Sequence, residues 1–297
     1  MTHVPTPRPH LIERAVQTLG PTLLGGRQAA VPPAGAPPPP PPPSAPLPPA
    51  PIGLEALHAA GLAVGSSGVS RSRVGEELGV IHQAMLRTMR GLPQEEQRAS
   101  RAVLVTSARP GEGKSFTALN LAAATAAGGS PTLLVDVDGK RGSLTELLGV
   151  AEAPGLRTLV ADPRAAAVAA LVRPTAEPRL SILPYGAVQP GGPPVLPAQM
   201  ITEAVLRIAA ALPGHVIILD SPPCLATSEP SALAAVAGQV LMVVEAERTQ
   251  RAEVEAALDL VDACPVLQLV LNRARLVTGN SFGGYGGYGT YAPPSGS

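Results

Sequence analysis

The chain has 297 residues, which is enough for one large domain or two small ones. Its 22 basic and 22 acidic side chains give a formal net charge of zero, which removes the electrostatic argument for nucleic-acid binding. Two cysteines, Cys224 and Cys264, cannot form a disulfide framework and indicate a reducing, cytoplasmic setting. No apolar run approaches the roughly 18–20 residues that span a bilayer, and no secretory signal is visible. Association with a membrane is therefore expected only through a partner.

Residues 1–72 are expected to form a flexible N-terminal region with short helices. A short amphipathic helix is predicted over residues 9–19, and a second short helix over residues 54–64. Residues 31–51 are nearly all Pro and Ala, a composition that favours a stiff polyproline segment. This segment is either a spacer or a ligand for an SH3-like domain.

A domain over residues 73–275 is predicted from the pattern that follows. Apolar residues at helical spacing predict a lead-in helix from Arg73 to Arg90. Beyond Ser100, apolar strands alternate with helices, which predicts a doubly wound α/β domain with a parallel sheet. The predicted strands are 102–106, 131–136, 179–183, 215–219, 239–244 and 266–271, and the predicted helices are 115–127, 142–148, 163–172, 194–211, 230–237 and 249–263. Residues 276–297 are expected to be a flexible, Tyr-rich tail.

The stretch from Arg101 to Asn120 carries the main functional signal. A short apolar strand is followed by a glycine loop, after which Lys114 and Ser115 open an Ala-rich helix. Loop amides and a helix N-terminus bind phosphate oxygens, Lys114 reaches the β- and γ-phosphates, and Ser115 binds Mg²⁺. Ala108 replaces the first glycine of the usual pattern. The predicted nucleotide-binding residues are Pro110, Gly111, Glu112, Gly113, Lys114, Ser115 and Phe116.

Three aspartates stand where predicted strands end, and ligands of parallel sheets bind at the carboxyl ends of the strands. Asp136 and Asp138 follow the second strand and Asp220 follows the fourth. Hard oxygen ligands suit Mg²⁺, so Ser115, Asp136 and Asp220 are the predicted metal ligands. Asp136 and Asp138 can orient a metal-bound water and accept the proton of an attacking hydroxyl, so both join Lys114 as predicted catalytic residues. Each aspartate alone could also be a turn residue or a helix N-cap.

Asn272 ends the last predicted strand on the same edge of the sheet. Its amide could read adenine, or it could serve as a strand-end turn residue, and the sequence leaves both open. Because the last strand of a parallel sheet ends on the P-loop edge, the tail should start beside the active site. A Gly-rich coil from Asn272 to Tyr291 would span about 25 Å r.m.s., enough to reach a neighbouring site.

Three segments resemble the nucleotide-binding boxes of the bacterial tyrosine kinases of capsule and exopolysaccharide export. Residues 107–115 resemble Walker A, residues 134–143 Walker A′ and residues 218–223 Walker B. The resemblance covers about residues 73–291 and is greatest to the cytoplasmic, exosortase-associated tyrosine autokinases. It implies a MinD/ParA-like P-loop fold, the use of ATP with Mg²⁺, and the roles given above for the lysine, serine and aspartates of these boxes.

The resemblance also implies a destination for the phosphate and a set of partners. Three of the four tyrosines, Tyr285, Tyr288 and Tyr291, cluster near the C-terminus, where members of the family autophosphorylate, generally between neighbouring subunits. Implied partners are a membrane chain-length-determinant protein (a polysaccharide co-polymerase), a homo-oligomer and a tyrosine phosphatase, with no nucleic acid. The implied location is cytoplasmic, at the inner face of the membrane. Without the resemblance, the tail could also be a low-complexity segment with no role.

Two departures from the family pattern and two other functions remain open. Gly79 stands where relatives carry an arginine that packs against the next subunit, although Arg87 or Arg90 could substitute. Glu229 follows Ser228 where relatives commonly have an aspartate. One alternative function is a MinD/ParA-like ATPase switch, which would place a lysine at the position of Arg109. The other is a non-catalytic, nucleotide-binding regulator of a polysaccharide exporter.

Overall fold

In the computed structural model, the residues described are 50–65, 73–91, 101–161, 167–188 and 193–274. They form a seven-stranded sheet in the order β3-β4-β2-β5-β1-β6-β7. The strands are β1 (Ala102–Ser107), β2 (Thr132–Asp136), β3 (Arg173–Pro174), β4 (Leu180–Leu183), β5 (Val216–Asp220), β6 (Gln239–Glu245) and β7 (Leu267–Asn272). All pairs are parallel except β3 with β4. The predicted parallel α/β fold is confirmed.

Nine helices in the described ranges cover the two faces of this sheet. They are α1 (Leu54–Ala59), α2 (Arg73–Gly91), α3 (Lys114–Ala127), α4 (Leu144–Leu147), α5 (Leu156–Ala161), α6 (Val168–Leu171), α7 (Ala198–Ala211), α8 (Glu229–Ala234) and α9 (Arg251–Asp259). Helices α1 to α4 contribute to one apolar cluster and α5 to α9 to the other. The central strands are buried on both sides, which is why their sequences are apolar runs rather than alternating patterns.

The longer predicted elements lie within a few residues of their observed bounds. The region after β2 differs, since a helix is predicted over 163–172 and the structure has α5 before it and α6 inside it. Leu156, Leu159 and Val160 of α5 are buried in the core. The predicted helix lies too late in the chain because a helical pattern is recognised only in residues 163–172. The two-residue strand β3 is also absent from the predicted set, since it is too short to show a pattern.

Residues 52–64 pack against the domain that the sequence predicts to begin at Arg73. Ile52 pairs with Thr175, and the side chain of Leu57 is fully buried in the α1–α4 cluster. The backbone amides of Ala63 and Val64 donate to Oδ1 of Asn120 at 2.6 and 3.0 Å. This segment is thus fastened to helix α3, whose first residues follow the P-loop. The predicted helix over 9–19, all but the last two residues of the Pro-rich segment over 31–51, and the predicted tail over 276–297 lie outside the described residues.

Within the described ranges, no helix combines the length and the hydropathy that crossing a bilayer would require.

Candidate active site

The P-loop connects β1 to α3 and leaves the start of that helix open. Gly111 and Gly113 adopt φ angles of +86° and +95°, a region that residues with a side chain rarely occupy. Gly113 has a second constraint, because a Cβ atom there would lie 2.2 Å from Nδ2 of Asn272. The first amides of α3 have no acceptor within the helix, and they are therefore available to phosphate oxygens.

Two polar residues hold the loop in this shape. The buried carboxylate of Glu112 accepts hydrogen bonds from the Arg109 amide at 2.6 Å and from the Thr249 hydroxyl. Nδ2 of Asn272 donates to the carbonyl oxygen of Glu112 at 2.8 Å, and its Oδ1 accepts from the Arg273 amide. The Glu112 side chain therefore points into the protein, and Asn272 ties the end of β7 to the P-loop. Thr249 is a supporting residue that is not among the predicted site residues.

Lys114 and Asp138 form an ion pair beside the loop. Nζ of Lys114 lies 3.0 Å from Oδ2 of Asp138, and both side chains are largely buried. The other carboxylate oxygen of Asp138, Oδ1, has no hydrogen-bond partner in the described part of the chain. The predicted phosphate-binding lysine thus contacts one of the two predicted catalytic aspartates directly.

Asp136 is fully buried at the end of β2 and is held by the protein. Its Oδ1 accepts from the Asp138 amide at 3.0 Å, and its Oδ2 accepts from the amide and the hydroxyl of Thr145 at 2.8 and 2.6 Å. Burial raises the pKa of Asp136 to about 6, and the Thr145 hydrogen bonds act in the opposite direction. With three donors already in place, this carboxylate is fixed before any ligand arrives.

Asp220 lies next to Asp136 across the β2–β5 pair and has a contrasting environment. Its side chain is fully buried, yet within the described residues neither carboxylate oxygen accepts a hydrogen bond of ordinary geometry. The pKa of Asp220 is raised to about 7, chiefly by burial and also by the charge of Asp136, while the charge of Lys114 and the nearby Ser115 hydroxyl act in the opposite direction. The residues predicted as Mg²⁺ ligands thus meet at one edge of the sheet.

A groove of about 640 Å³, which we call the α2–β7 groove, opens beside the P-loop. Phe116 and Asn272 line it, together with the start of α2 and the end of β7. This volume lies in the range of about 300–1,000 Å³ that is usual for ligand clefts, and the groove is next to the phosphate loop. It offers space for a nucleoside attached to phosphates bound at the loop. No contact here tests whether Asn272 reads adenine, and its amide groups are already bonded to the protein.

A second cleft of about 340 Å³, which we call the side cleft, lies on the other side of the carboxylates. Arg157 forms part of its wall: the guanidinium is buried, donates to the carbonyl oxygens of Pro193 and Pro194, and stacks 5.2 Å from the ring centroid of Tyr185. The lining residues are Gly139, Lys140, Ser143, Thr145, Glu146, Ala151, Glu152, Arg157, Tyr185, Gly186, Ala187, Val188 and Pro194.

Tyr185 is the tyrosine outside the tail, and it is buried. Its exposed fraction is 6%, and its hydroxyl accepts a hydrogen bond from the Leu196 amide at 3.3 Å. It is a structural residue of the cleft wall. The three predicted phosphoacceptors lie outside the described residues, but β7 ends at the P-loop, as the Asn272 bond shows.

Comparison with known proteins identifies the relatives of this chain. No protein-family model matches it. Tyrosine-protein kinase YwqD of Bacillus subtilis is 28% identical over 190 residues, 63% of this chain and 78% of the relative. Tyrosine-protein kinase Wzc of Salmonella typhimurium is 29% identical over 192 residues, 64% of this chain but 26% of the relative. The solved BceF tyrosine kinase domain is 25% identical with a TM-score of 0.51, covering 66% of this chain and 76% of that domain.

The relatives that both comparisons find for this chain are bacterial tyrosine-protein kinases. The predicted family is confirmed, and with it the predicted enzyme class and the P-loop fold. The chain spans most of YwqD but about a quarter of Wzc, so the activities and partners of the longer kinases are treated as proposals. Membership of the exosortase-associated branch and the roles of the individual site residues stay predictions.

Proposed function

We propose that the protein transfers the γ-phosphate of ATP, with Mg²⁺, to the tyrosines of its own C-terminal tail. The observation that carries this proposal is the buried charge cluster at the sheet edge. Asp136, Asp138 and Asp220 lie in or near contact there, and Lys114 is the cation facing them. Since buried carboxylates are costly without compensating charge, such a cluster suits a divalent cation and a bound nucleotide.

The oxygen groups of the site fit Mg²⁺. Asp220 offers two buried oxygens without hydrogen-bond donors in the described structure, and Ser115 offers a nearby hydroxyl. Mg²⁺ usually retains several waters and shares substrate phosphates, so one carboxylate and one hydroxyl from the protein are enough to hold it. Mg²⁺ at this position would neutralise charge on the β- and γ-phosphates. We assign its binding to Ser115 and Asp220, and a positioning role to Asp136.

The Lys114–Asp138 pair supplies both charge stabilisation and a proton acceptor. A γ-phosphate in the P-loop would compete with Asp138 for the lysine ammonium group. Asp138 would then be free to accept the proton of the attacking tyrosine hydroxyl, whose oxygen bonds to the γ-phosphorus as the bond to the β–γ bridging oxygen breaks and ADP leaves. Lys114 and the loop amides would stabilise the charge that develops on the transferred group.

The tail is the favoured acceptor because of what the structure shows of the other tyrosine. Tyr185 is buried and hydrogen-bonded, so only Tyr285, Tyr288 and Tyr291 remain as acceptors within this chain. Asn272 holds the last described strand against the P-loop, so β7 ends beside the loop that would bind the phosphates. Phosphorylation would add about −1.5 to −2 charges at each tyrosine, enough to loosen an assembly that binds the neutral tail.

A MinD/ParA-like ATPase switch is the competing function. Such switches are expected to place a lysine at the position of Arg109. In this structure Arg109 is bound to Glu253 of α9 at 3.2 Å, an arrangement that turns its charge toward α9. An arginine in place of that lysine favours the kinase.

Mass spectrometry of the full-length protein incubated with Mg·ATP tests the proposal. We expect phosphate on one or more of Tyr285, Tyr288 and Tyr291, and none on a Lys114→Met variant. Replacement of the three tyrosines by phenylalanine should abolish the signal without affecting nucleotide binding. If ATP is hydrolysed while the three tyrosines stay unmodified, the switch replaces the kinase. Phosphate that persists on the Lys114→Met protein would reveal a contaminating kinase.

We also propose a cellular role by likeness to the family: regulation of exopolysaccharide or capsule export from the cytoplasmic side. The proposed partners are a membrane chain-length-determinant protein that recruits the kinase, other copies of the chain, and a tyrosine phosphatase. Gly79 lies on an open part of α2, where a Cβ atom would meet nothing within 4 Å, and Arg87 and Arg90 are exposed on the same helix. Co-purification of the tagged full-length chain from membranes, with and without the partner gene, tests the recruitment.

A further inference from the structure

We infer that the side cleft is the binding site for the acceptor tyrosine, and that it selects tyrosines in neutral, glycine-rich segments. This inference rests on the proposed function and names the surface on which its substrate is held. The evidence is the position of the cleft, the rigidity of its walls and the charges at its rim.

The cleft shares walls with the catalytic carboxylates. Thr145 lines the cleft and donates two hydrogen bonds to Oδ2 of Asp136. Gly139, another lining residue, directly follows Asp138 in the chain. A side chain lying in the cleft therefore meets Thr145, which is bonded to Asp136, and Gly139, which is bonded in sequence to Asp138.

The walls are built before any substrate arrives. The Tyr185 ring packs so closely on the backbone at Gly139 that a Cβ atom there would lie 2.4 Å from the ring. The Tyr185 amide donates to the Thr145 hydroxyl at 2.9 Å, and the buried Arg157, stacked on the Tyr185 ring, holds the carbonyl groups of Pro193 and Pro194. This network joins the cleft wall to Asp136 through the single side chain of Thr145. A preformed wall reduces the entropy that substrate binding would otherwise lose.

The size and the charge of the cleft favour one kind of occupant. A volume of about 340 Å³ is at the low end for ligand clefts and suits one aromatic side chain with its short backbone. Arg157 is buried and bonded to protein carbonyls, so the exposed charges of the lining are Lys140 against Glu146 and Glu152. The tail carries no charged side chain from Leu276 to Ser297, and glycines flank Tyr285 and Tyr288. Glycine neighbours allow a backbone to approach the walls closely, whereas acidic neighbours would meet the two glutamates.

Filling the cleft provides the first test. Ala151 lines the cleft away from the carboxylates, and Ala256 is an exposed alanine on α9 that serves as the matched control. In full-length protein with Mg·ATP, we expect Ala151→Trp to lower the initial rate of tail phosphorylation at least tenfold, with the Kd for ATP within about twofold of wild type. Ala256→Trp should phosphorylate at the wild-type rate. Equal rates for Ala151→Trp and wild type would overturn the inference.

A change of specificity provides the second test and does not depend on filling the cleft. The probes are a synthetic peptide of residues 279–294 and the same peptide carrying Gly286→Asp and Gly289→Asp. The wild-type enzyme should show at least a fivefold lower kcat/KM for the acidic peptide, mainly through KM. Glu152→Lys, which reverses one exposed rim charge, should recover most of that loss. No preference between the peptides, or no recovery, would contradict the assignment.

The outcomes also separate this inference from the proposed function. If the wild-type protein places no phosphate on any tyrosine while it hydrolyses ATP, the proposed function fails. If it phosphorylates its tail and the cleft variants behave like wild type, the kinase stands and the acceptor site lies elsewhere.

Discussion

The ends of β2 and β5 carry the same residue type at paired positions, and the protein treats them differently. Asp136 and Asp220 are neighbours in the sheet, and both are fully buried. Asp136 receives three hydrogen bonds, whereas in the described part of the molecule Asp220 receives none. The difference indicates two roles at one edge: a carboxylate fixed by the protein, and a carboxylate whose compensation must come from a ligand.

This contrast implies that the carboxylate of Asp220 lowers the stability of the folded protein, whereas the carboxylate of Asp136 raises it. An unpaired buried carboxylate destabilises the folded state, and such features persist at functional sites. A carboxylate that satisfies buried backbone amides stabilises the local structure instead. Substitutions at the two positions should therefore have opposite effects on the free energy of unfolding.

The largest effect is expected for Asp220→Asn. Removal of the charge should lower tail phosphorylation about 100-fold or more, because the main protein carboxylate for Mg²⁺ is lost. The same change should raise the melting temperature of the nucleotide-free protein by about 2–4 °C, since an unpaired buried charge disappears. Calorimetry in EDTA and a phosphorylation assay measure the two quantities. A lower melting temperature would show that Asp220 is compensated in the folded protein.

Asp136→Asn should have the opposite effect and lower the stability of the nucleotide-free protein. The new amide group would face donors, which leaves a buried N–H of Asp138 or Thr145 without an acceptor. The expected loss is about 1–3 kcal/mol in the free energy of unfolding, measured by urea denaturation. A stability equal to or above that of wild type would remove the distinction between the two strand ends.

Thr145→Val isolates the hydroxyl that joins Asp136 to Tyr185. The variant keeps the shape of the side chain but loses one hydrogen-bond donor and one acceptor, at a cost of about 1–2 kcal/mol. We expect about a tenfold fall in kcat for tail phosphorylation, with the Kd for ATP little changed. Thr145→Ser retains the hydroxyl and should restore kcat. If the serine variant is as slow as the valine variant, packing rather than hydrogen bonding explains the effect.

The smallest expected effect is on the pH dependence of stability, to which His82 on α2 and the two aspartates contribute differently. Burial lowers the pKa of His82, and the charge of Arg90 lowers it further. The unfolded state therefore binds a proton more readily, and stability is lost as pH falls below about 6.5. The two aspartates, whose pKa values are raised, contribute with the opposite sign. We expect His82→Gln to flatten the decline in melting temperature between pH 7 and pH 5, an effect of about 1 kcal/mol or less. If the melting temperature of His82→Gln declines as steeply as that of wild type, other groups cause the decline.

The sequence predicted the parts of this molecule that depend on neighbours along the chain. The P-loop, the aspartates after β2 and β5, and the position of Asn272 after β7 follow from strand and turn patterns read in parallel-sheet geometry. The structure places them together as expected. Their chemical roles stay predictions.

The parts that escaped prediction depend on contacts between distant segments. Thr145 gives no local signal, because its role is set by a hydrogen bond to Asp136 and another from Tyr185. Asn120 fastens residues 61–64 to α3, across more than fifty residues of sequence. The sequence offers one hint of this contact: Asn120 is a polar residue within the apolar pattern of α3, and a buried polar group requires a partner. The inward orientation of Glu112 was likewise hidden within the P-loop pattern.

The central claim is that the γ-phosphate goes to tyrosine rather than to water. A single-turnover experiment with γ-labelled ATP and excess full-length protein measures the fate of the label directly. The account predicts that most of the label appears on the tail tyrosines, and that the labelled fraction disappears in the Tyr285→Phe, Tyr288→Phe, Tyr291→Phe triple variant. Complete recovery of the label as inorganic phosphate from the wild-type protein would contradict it.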